Sequence, residues 1–235
     1  MTADDEGHQA NISKHELRVS ILGPPCSGKT TQASRLGREF GICHLSAAGV
    51  LESHVARRTP DGKDTKEIIA YGGHVPESMM ARMINNELDS NAACRNGFVL
   101  DGFPSTLGEV KHLEEILETR KQRLDHVIEL DTDNELPETR IAGRLVHLAS
   151  GRTYNGVHCL PRDSMKDDVT GEPLIRRSDD TSKAARARLA AYRTHIMPVA
   201  EHFKRRGIWR QVDGHRKPDS VWQDIKAGLN HWVPN

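Results

Sequence analysis

The sequence predicts an α/β fold, with a five-stranded parallel sheet flanked by helices. Two observations carry this. Five short apolar runs alternate along the chain with longer segments of helical period, as in a sheet covered on both faces. Between the first run and the first helical segment stands "GPPCSGKTT" (23–31), a glycine-rich turn of the kind that wraps a phosphate.

The elements can be justified in order. "LRVSIL" (17–22) reads as a buried strand and "KTTQASRLGREFG" (29–41) as a helix ending at Gly41. "ICHLS" (42–46) is a short strand. Residues 47–90 divide into short helices broken at "TPDGKD" and "YGGHVPE". "GFVLDGF" (97–103) is a strand, and "LGEVKHLEEILETR" (107–120) an amphipathic helix with Leu107, Val110, Leu113 and Leu117 on one stripe. "HVIELDT" (126–132) is a strand, and 134–147 reads as a helix. The polar segment 148–180 has no helical stripe. A long helix follows, with Leu189, Tyr192, Ile196, Val199 and Phe203 on its apolar face, a kink expected at Pro198 and an end at Gly207. "WRQVDG" (209–214) is the last strand and 218–231 the last helix. Residues 1–16 lack an apolar core and read as a flexible tail, neither secretory signal nor transit peptide.

Bulk properties narrow the class. A chain of 235 residues holds one large domain, or a core with inserted subdomains. A net charge of +0 gives no electrostatic footprint for nucleic acid or an anionic membrane. No run approaches the roughly 20 apolar residues that span a bilayer. Cys26, Cys43, Cys94 and Cys159 make no C-x-x-C pair and no short-spaced framework, which favours a reducing, cytoplasmic compartment.

Three constellations carry chemistry. Gly23-x-x-x-x-Gly28-Lys29-Thr30 meets the full phosphate-loop pattern between a strand and a helix. Its backbone N–H groups, Ser27 among them, make a concave anion site. Lys29 reaches the terminal phosphates, and Thr30 or Thr31 can ligate Mg²⁺. Asp101 ends an apolar strand beside this loop and can hold Mg²⁺ directly or through water. Arg140 and Arg144 lie four apart on one predicted helix, while Arg177 and Arg188 flank "SDDTSKAARA". Guanidinium forks suit the charge spread over a phosphoryl group in transfer.

With these motifs in place, the chain resembles the adenylate kinase family in its long-lid form, from about residue 17 to the end. "NGFVLDGFP" (96–104), "RIAGRLVHLASGRTY" (140–154), "KDDVTGEPLIRRSDD" (166–180), "ARARLAAY" (185–192) and "VDG" (212–214) occur in the family's order. The resemblance implies a phosphate-loop kinase fold with an acceptor-binding insertion near 46–75 and a lid near 143–180. It implies ATP and Mg²⁺ as donor, small-molecule nucleotides as partners, and a monomer. Lys29, Arg144, Arg177 and Arg188 would be the transfer-state cations, with Asp179 orienting the lid arginines. Arg140 would lie on the donor adenine, and Gly23, Cys26, Ser27, Gly28, Thr30, Thr31 and Asp101 would complete the donor site. In some members zinc-binding cysteines occupy the lid positions that here are His147, Ser150, Asp167 and Thr170. These suit a hydrogen-bonded cluster instead, so no structural zinc is expected.

The departures fall on the acceptor side. The resemblance implies an acceptor pocket at Ala47, Glu52, Val75, Gly102, Ser105, Glu109, Arg177 and Arg188. In the family, the positions of Glu52 and Ser105 carry arginines for the acceptor phosphate, and that of Glu109 a glutamine that reads the base. The donor side departs less: Cys26 and Thr30 replace glycines, and Asn155 a frequent histidine. Three readings stay open at this level: an adenylate-kinase-like phosphotransferase, an ATP-binding protein with little or no transfer, and an ATPase of the same fold.

Overall fold

A computed structural model of the chain describes residues 16–71, 73–133, 140–141, 143–147, 152–155, 160–176 and 181–230. Five strands form one parallel sheet: β1 (Leu17–Leu22), β2 (Cys43–Ser46), β3 (Gly97–Asp101), β4 (His126–Asp131) and β7 (Trp209–Asp213), in the spatial order β2-β3-β1-β4-β7. Each falls on one of the five apolar runs. The register sets Ile21 and Ser46 both opposite Asp101, so three strands end flush at the carboxyl edge. That edge is where open α/β sheets bind ligands.

Helices cover both faces because both faces are apolar. On one side α4 (Glu77–Ser90), α5 (Leu107–Thr119) and α6 (Ser182–Arg205) bury Met83, Ile84, Leu113, Val199 and Phe203. On the other, α1 (Lys29–Phe40) and α7 (Pro218–Asn230) bury Leu36, Trp222 and Ile225 against Val19, Ile21 and Ile128. The N-termini of α2 (Ala47–Ala56) and α3 (Pro60–Ala70) are capped by Ser46 and Thr59, whose hydroxyls accept from Gly49 and Gly62 N–H. Helix α6 runs through Pro198, and Gly207, at φ +72°, follows its end.

Two expectations need correction. The helix expected over 134–147 does not reach 147. Arg144–Val146 is a strand, β5, paired antiparallel with β6 (Thr153–Asn155). Burial of Leu145 with Tyr154 and Leu174 selects the hairpin over the helix there. Residues 134–139 lie outside the described residues, as do the first 15 and Ser150, Cys159, Arg177 and Asp179. The second correction concerns cysteine. Cys43 and Cys94, separated by 51 residues, form a disulfide. Cys43 lies on the edge strand and Cys94 in the 3₁₀ turn (Ala92–Asn96) that feeds its neighbour β3, so the parallel pairing brings them together. A pairing across 51 residues leaves no trace in short cysteine spacings, so those spacings do not indicate a reducing compartment.

Candidate active site

The phosphate loop leaves β1 and enters α1 at the flush carboxyl edge. Gly28 caps the helix at φ +98°, a conformation that favours glycine. A Cβ on Gly23 would stand 2.7 Å from Leu130 O and Ser27 Oγ, so this position too excludes a side chain. Cys26 adopts φ +61° without being glycine. The loop borders a cavity of about 380 Å³ lined also by Thr31, Asp101, Gly102, Arg140, Arg144, Asn155 and Arg216. This volume lies within the range of small-molecule sites.

The cations turn inward on this loop. Lys29 Nζ donates to Gly23 O and Pro24 O, both at 2.7 Å. Burial pushes its pKa down, opposed by the charges of Asp101 and Cys26. Arg140 Nη1 donates to Cys26 O at 3.1 Å, and Arg144 Nη1 lies 3.8 Å from Cys26 Sγ. Burial likewise lowers the Arg140 pKa. Asn155 Nδ2 donates to Arg140 O at 2.6 Å and so ties the hairpin to the donor side. Ser27 Oγ is buried with no hydrogen-bond partner among the described residues, a group a ligand oxygen could satisfy.

Asp101 is buried at the end of β3. Its Oδ2 accepts from Thr30 Oγ1 at 2.7 Å and lies 3.3 Å from His44 Nε2, while His44 Nδ1 lies 3.3 Å from Ser34 Oγ. The sequence reading of site residues omitted His44. Its signal was its place in "CHLS", two residues before the end of the strand next to that of Asp101. The hydroxyl and carboxylate together offer hard oxygen donors beside the phosphate loop, which fits Mg²⁺.

Of the residues expected on the acceptor side, the described ones lie in several places. Ala47 and Gly102 border the donor cavity. Glu52 borders a second cavity of about 640 Å³, with Thr30, His44, Arg57, Glu87 and Arg152. Ser105 and Glu109 face each other: Ser105 N–H and Oγ–H donate to Glu109 Oε2 at 2.6 and 2.8 Å. Burial raises the Glu109 pKa, and the two Ser105 bonds oppose that shift. Val75 packs against the core under α4, and Arg188 sits half-buried on α6. Of the residues expected in a lid, His147 Nε2 lies 2.6 Å from Glu172 Oε2, and Thr170 Oγ1 donates to Asp167 Oδ2 at 3.0 Å. The Arg152 guanidinium beside Asp167 holds that carboxyl well below the usual range.

The chain is similar to known adenylate kinases. A family model described as "Adenylate kinase" matches residues 21–208. An adenylate kinase of Aspergillus niger is 46% identical over 225 residues, covering 94% of this chain and 87% of the relative. One from Emericella nidulans is 43% identical over 221 residues, covering 94% and 85%. One from Aspergillus terreus is 45% identical over 210 residues, covering 89% and 82%.

Proposed function

The chain belongs to the adenylate kinase family, and from that premise we propose how its residues share the work of moving the γ-phosphate of ATP to a nucleoside monophosphate. The enzyme is a nucleoside monophosphate kinase, a phosphotransferase. AMP is the acceptor that the relatives' name suggests. The reading without transfer is not favoured, given identities of 43–46% over most of the chain.

ATP occupies the cavity at the phosphate loop. Backbone N–H groups of residues 26–31 hold its phosphate oxygens. Lys29 exchanges the carbonyls of Gly23 and Pro24 for the terminal phosphates. Arg140 packs on the adenine, and Arg144, Arg177 and Arg188 meet the charge of the transferring group, with Asp179 orienting the first two. Thr30 and Asp101 would hold Mg²⁺, directly or through water, and the ion would supply positive charge against the phosphates of ATP. An oxygen of the acceptor phosphate forms the new bond to the γ-phosphorus as the bond to the β–γ bridging oxygen breaks. Helices α2 and α3 serve as the acceptor-binding insertion (46–75), and the segment 143–180 as the lid. The protein acts on small nucleotides as a monomer. No described helix is long and apolar enough to cross a membrane.

The observation that carries this reading is the complete phosphate loop with Thr30 bonded to Asp101 at the edge of one cavity. Purified protein with Mg-ATP is tested against AMP, dAMP, CMP, UMP and buffer, with nucleotides separated after reaction. ADP formed together with the acceptor's diphosphate is expected. ADP and free phosphate released equally with buffer alone would establish an ATPase instead.

A further inference from the structure

Thr30 lines both cavities, so the second cavity adjoins the place where a γ-phosphate would lie. Its own walls are electrostatically poor for a phosphate. Glu52 from α2 and Glu87 from α4 border it. Arg57, its cation on the α2 side, is committed to Glu87, and His54 Nε2 approaches the same Glu87 oxygen at 3.3 Å. His44 is engaged with Asp101.

One cation reaches this cavity from the lid. Arg152 stands just before β6 and lines the cavity from there. Its Nε and Nη2 donate to Asp167 Oδ1 and Oδ2 at 2.7 and 2.6 Å. Asp167 is 2% exposed and is itself held by Tyr154 OH at 2.9 Å and Thr170 N–H at 2.8 Å. A guanidinium gripped in plane along one edge by a buried carboxylate has its plane and direction set. The Arg152 side chain is 36% exposed, so it remains reachable, and Asp167 does not line the cavity.

We propose that Arg152 is an acceptor-binding residue, a guanidinium carried by the lid that contacts the phosphate of the nucleoside monophosphate. The proposal rests on the kinase reading above. A phosphate monoester brings a charge of about −1.5 to −2 at neutral pH. Set beside Glu52, it calls for a cation, and Arg152, which pairs with Asp167 outside the cavity lining, borders the cavity from the other side.

The test compares the parent with Arg152→Gln and Arg152→Lys in steady-state assays with Mg-ATP and AMP, alongside AMP titration by calorimetry. Arg152→Gln should raise the AMP KM and Kd by about tenfold or more, the scale of one lost charge-assisted contact. The ATP KM at saturating AMP should move by less than about threefold over the same change. Arg152→Lys keeps the charge and should recover part of the loss; if the Gln variant does not fold, the Lys variant should still raise the AMP KM selectively. A purely structural role predicts equal rises in both KM values with a matching fall in Tm, which would overturn the proposal. So would an unchanged AMP KM in Arg152→Gln beside an active parent, with the kinase reading intact. A parent that phosphorylates no monophosphate overturns both.

Discussion

Thr30→Val removes one hydroxyl and nearly preserves side-chain shape. In the parent that hydroxyl donates to Asp101 Oδ2 at 2.7 Å, and Asp101 is 4% exposed. A hydrogen bond to a charged group contributes about 1.5–3 kcal/mol, since a buried carboxylate left short of donors bears its desolvation cost. After the change the same oxygen retains His44 Nε2 at 3.3 Å, a longer contact. In a chain of this size each kcal/mol moves Tm by about 2–4 °C, so the ligand-free Tm should fall by roughly 3–12 °C. A second effect concerns the ligand. If Thr30 and Asp101 hold Mg²⁺, ATP with Mg²⁺ should protect the variant little better than ATP with EDTA. Thermal unfolding under the three conditions, paired with the KM for Mg-ATP, reads both effects. Thr30→Ser returns the hydroxyl and should restore both. A Thr30→Val protein with the parent's Tm and the parent's Mg²⁺-dependent protection would refute the reasoning, for then the bond neither supports the carboxylate nor marks the metal position.

Lys29→Ala should abolish thermal protection by Mg-ATP, because it removes the ammonium that would meet the terminal phosphates; protection equal to the parent's would remove Lys29 from the donor site. Cys26, a free thiol with Arg144 Nη1 3.8 Å from its sulfur, should be alkylated by iodoacetamide at a rate that ATP slows, as read by mass spectrometry. Equal labelling with and without ATP would place the thiol outside the donor site. His126 is held neutral, its pKa lowered to about 4 by burial first and by Arg210 second. A depressed folded pKa means the unfolded chain binds more protons between about pH 6.5 and 4, so stability from this group is present above pH 6.5 and lost as pH falls through that window. His126→Gln should flatten the acid side of the Tm–pH curve there, and an unchanged slope would count against a buried neutral imidazole.

The five strands and the phosphate loop were legible in the sequence because their signals are local. Each strand is a short apolar run that must be covered on both faces, and β1 lies on residues 17–22 as read. The loop needs its glycines for backbone reasons that act within a few residues, as Gly28 at φ +98° shows. Asp101 could be placed as well, since it ends a strand next to that loop. What joins segments distant in the chain was not legible. Cys43 meets Cys94 only once β2 pairs with β3. The hairpin at 144–155 displaced the end of an expected helix because Leu145, Tyr154 and Leu174 bury one another, and helical periodicity over a few residues carries no record of such partners. Ser105 and Glu109, read as two separate departures from a pattern, answer each other through two hydrogen bonds. His44 and Arg152 come to border one cavity for the same reason: one lies on a neighbouring strand and the other in a hairpin more than 100 residues later, and the cavity between them exists only in the folded chain. Hydrophobic period and backbone conformation are written residue by residue, whereas the charge balance of a pocket is a property of elements brought together by packing.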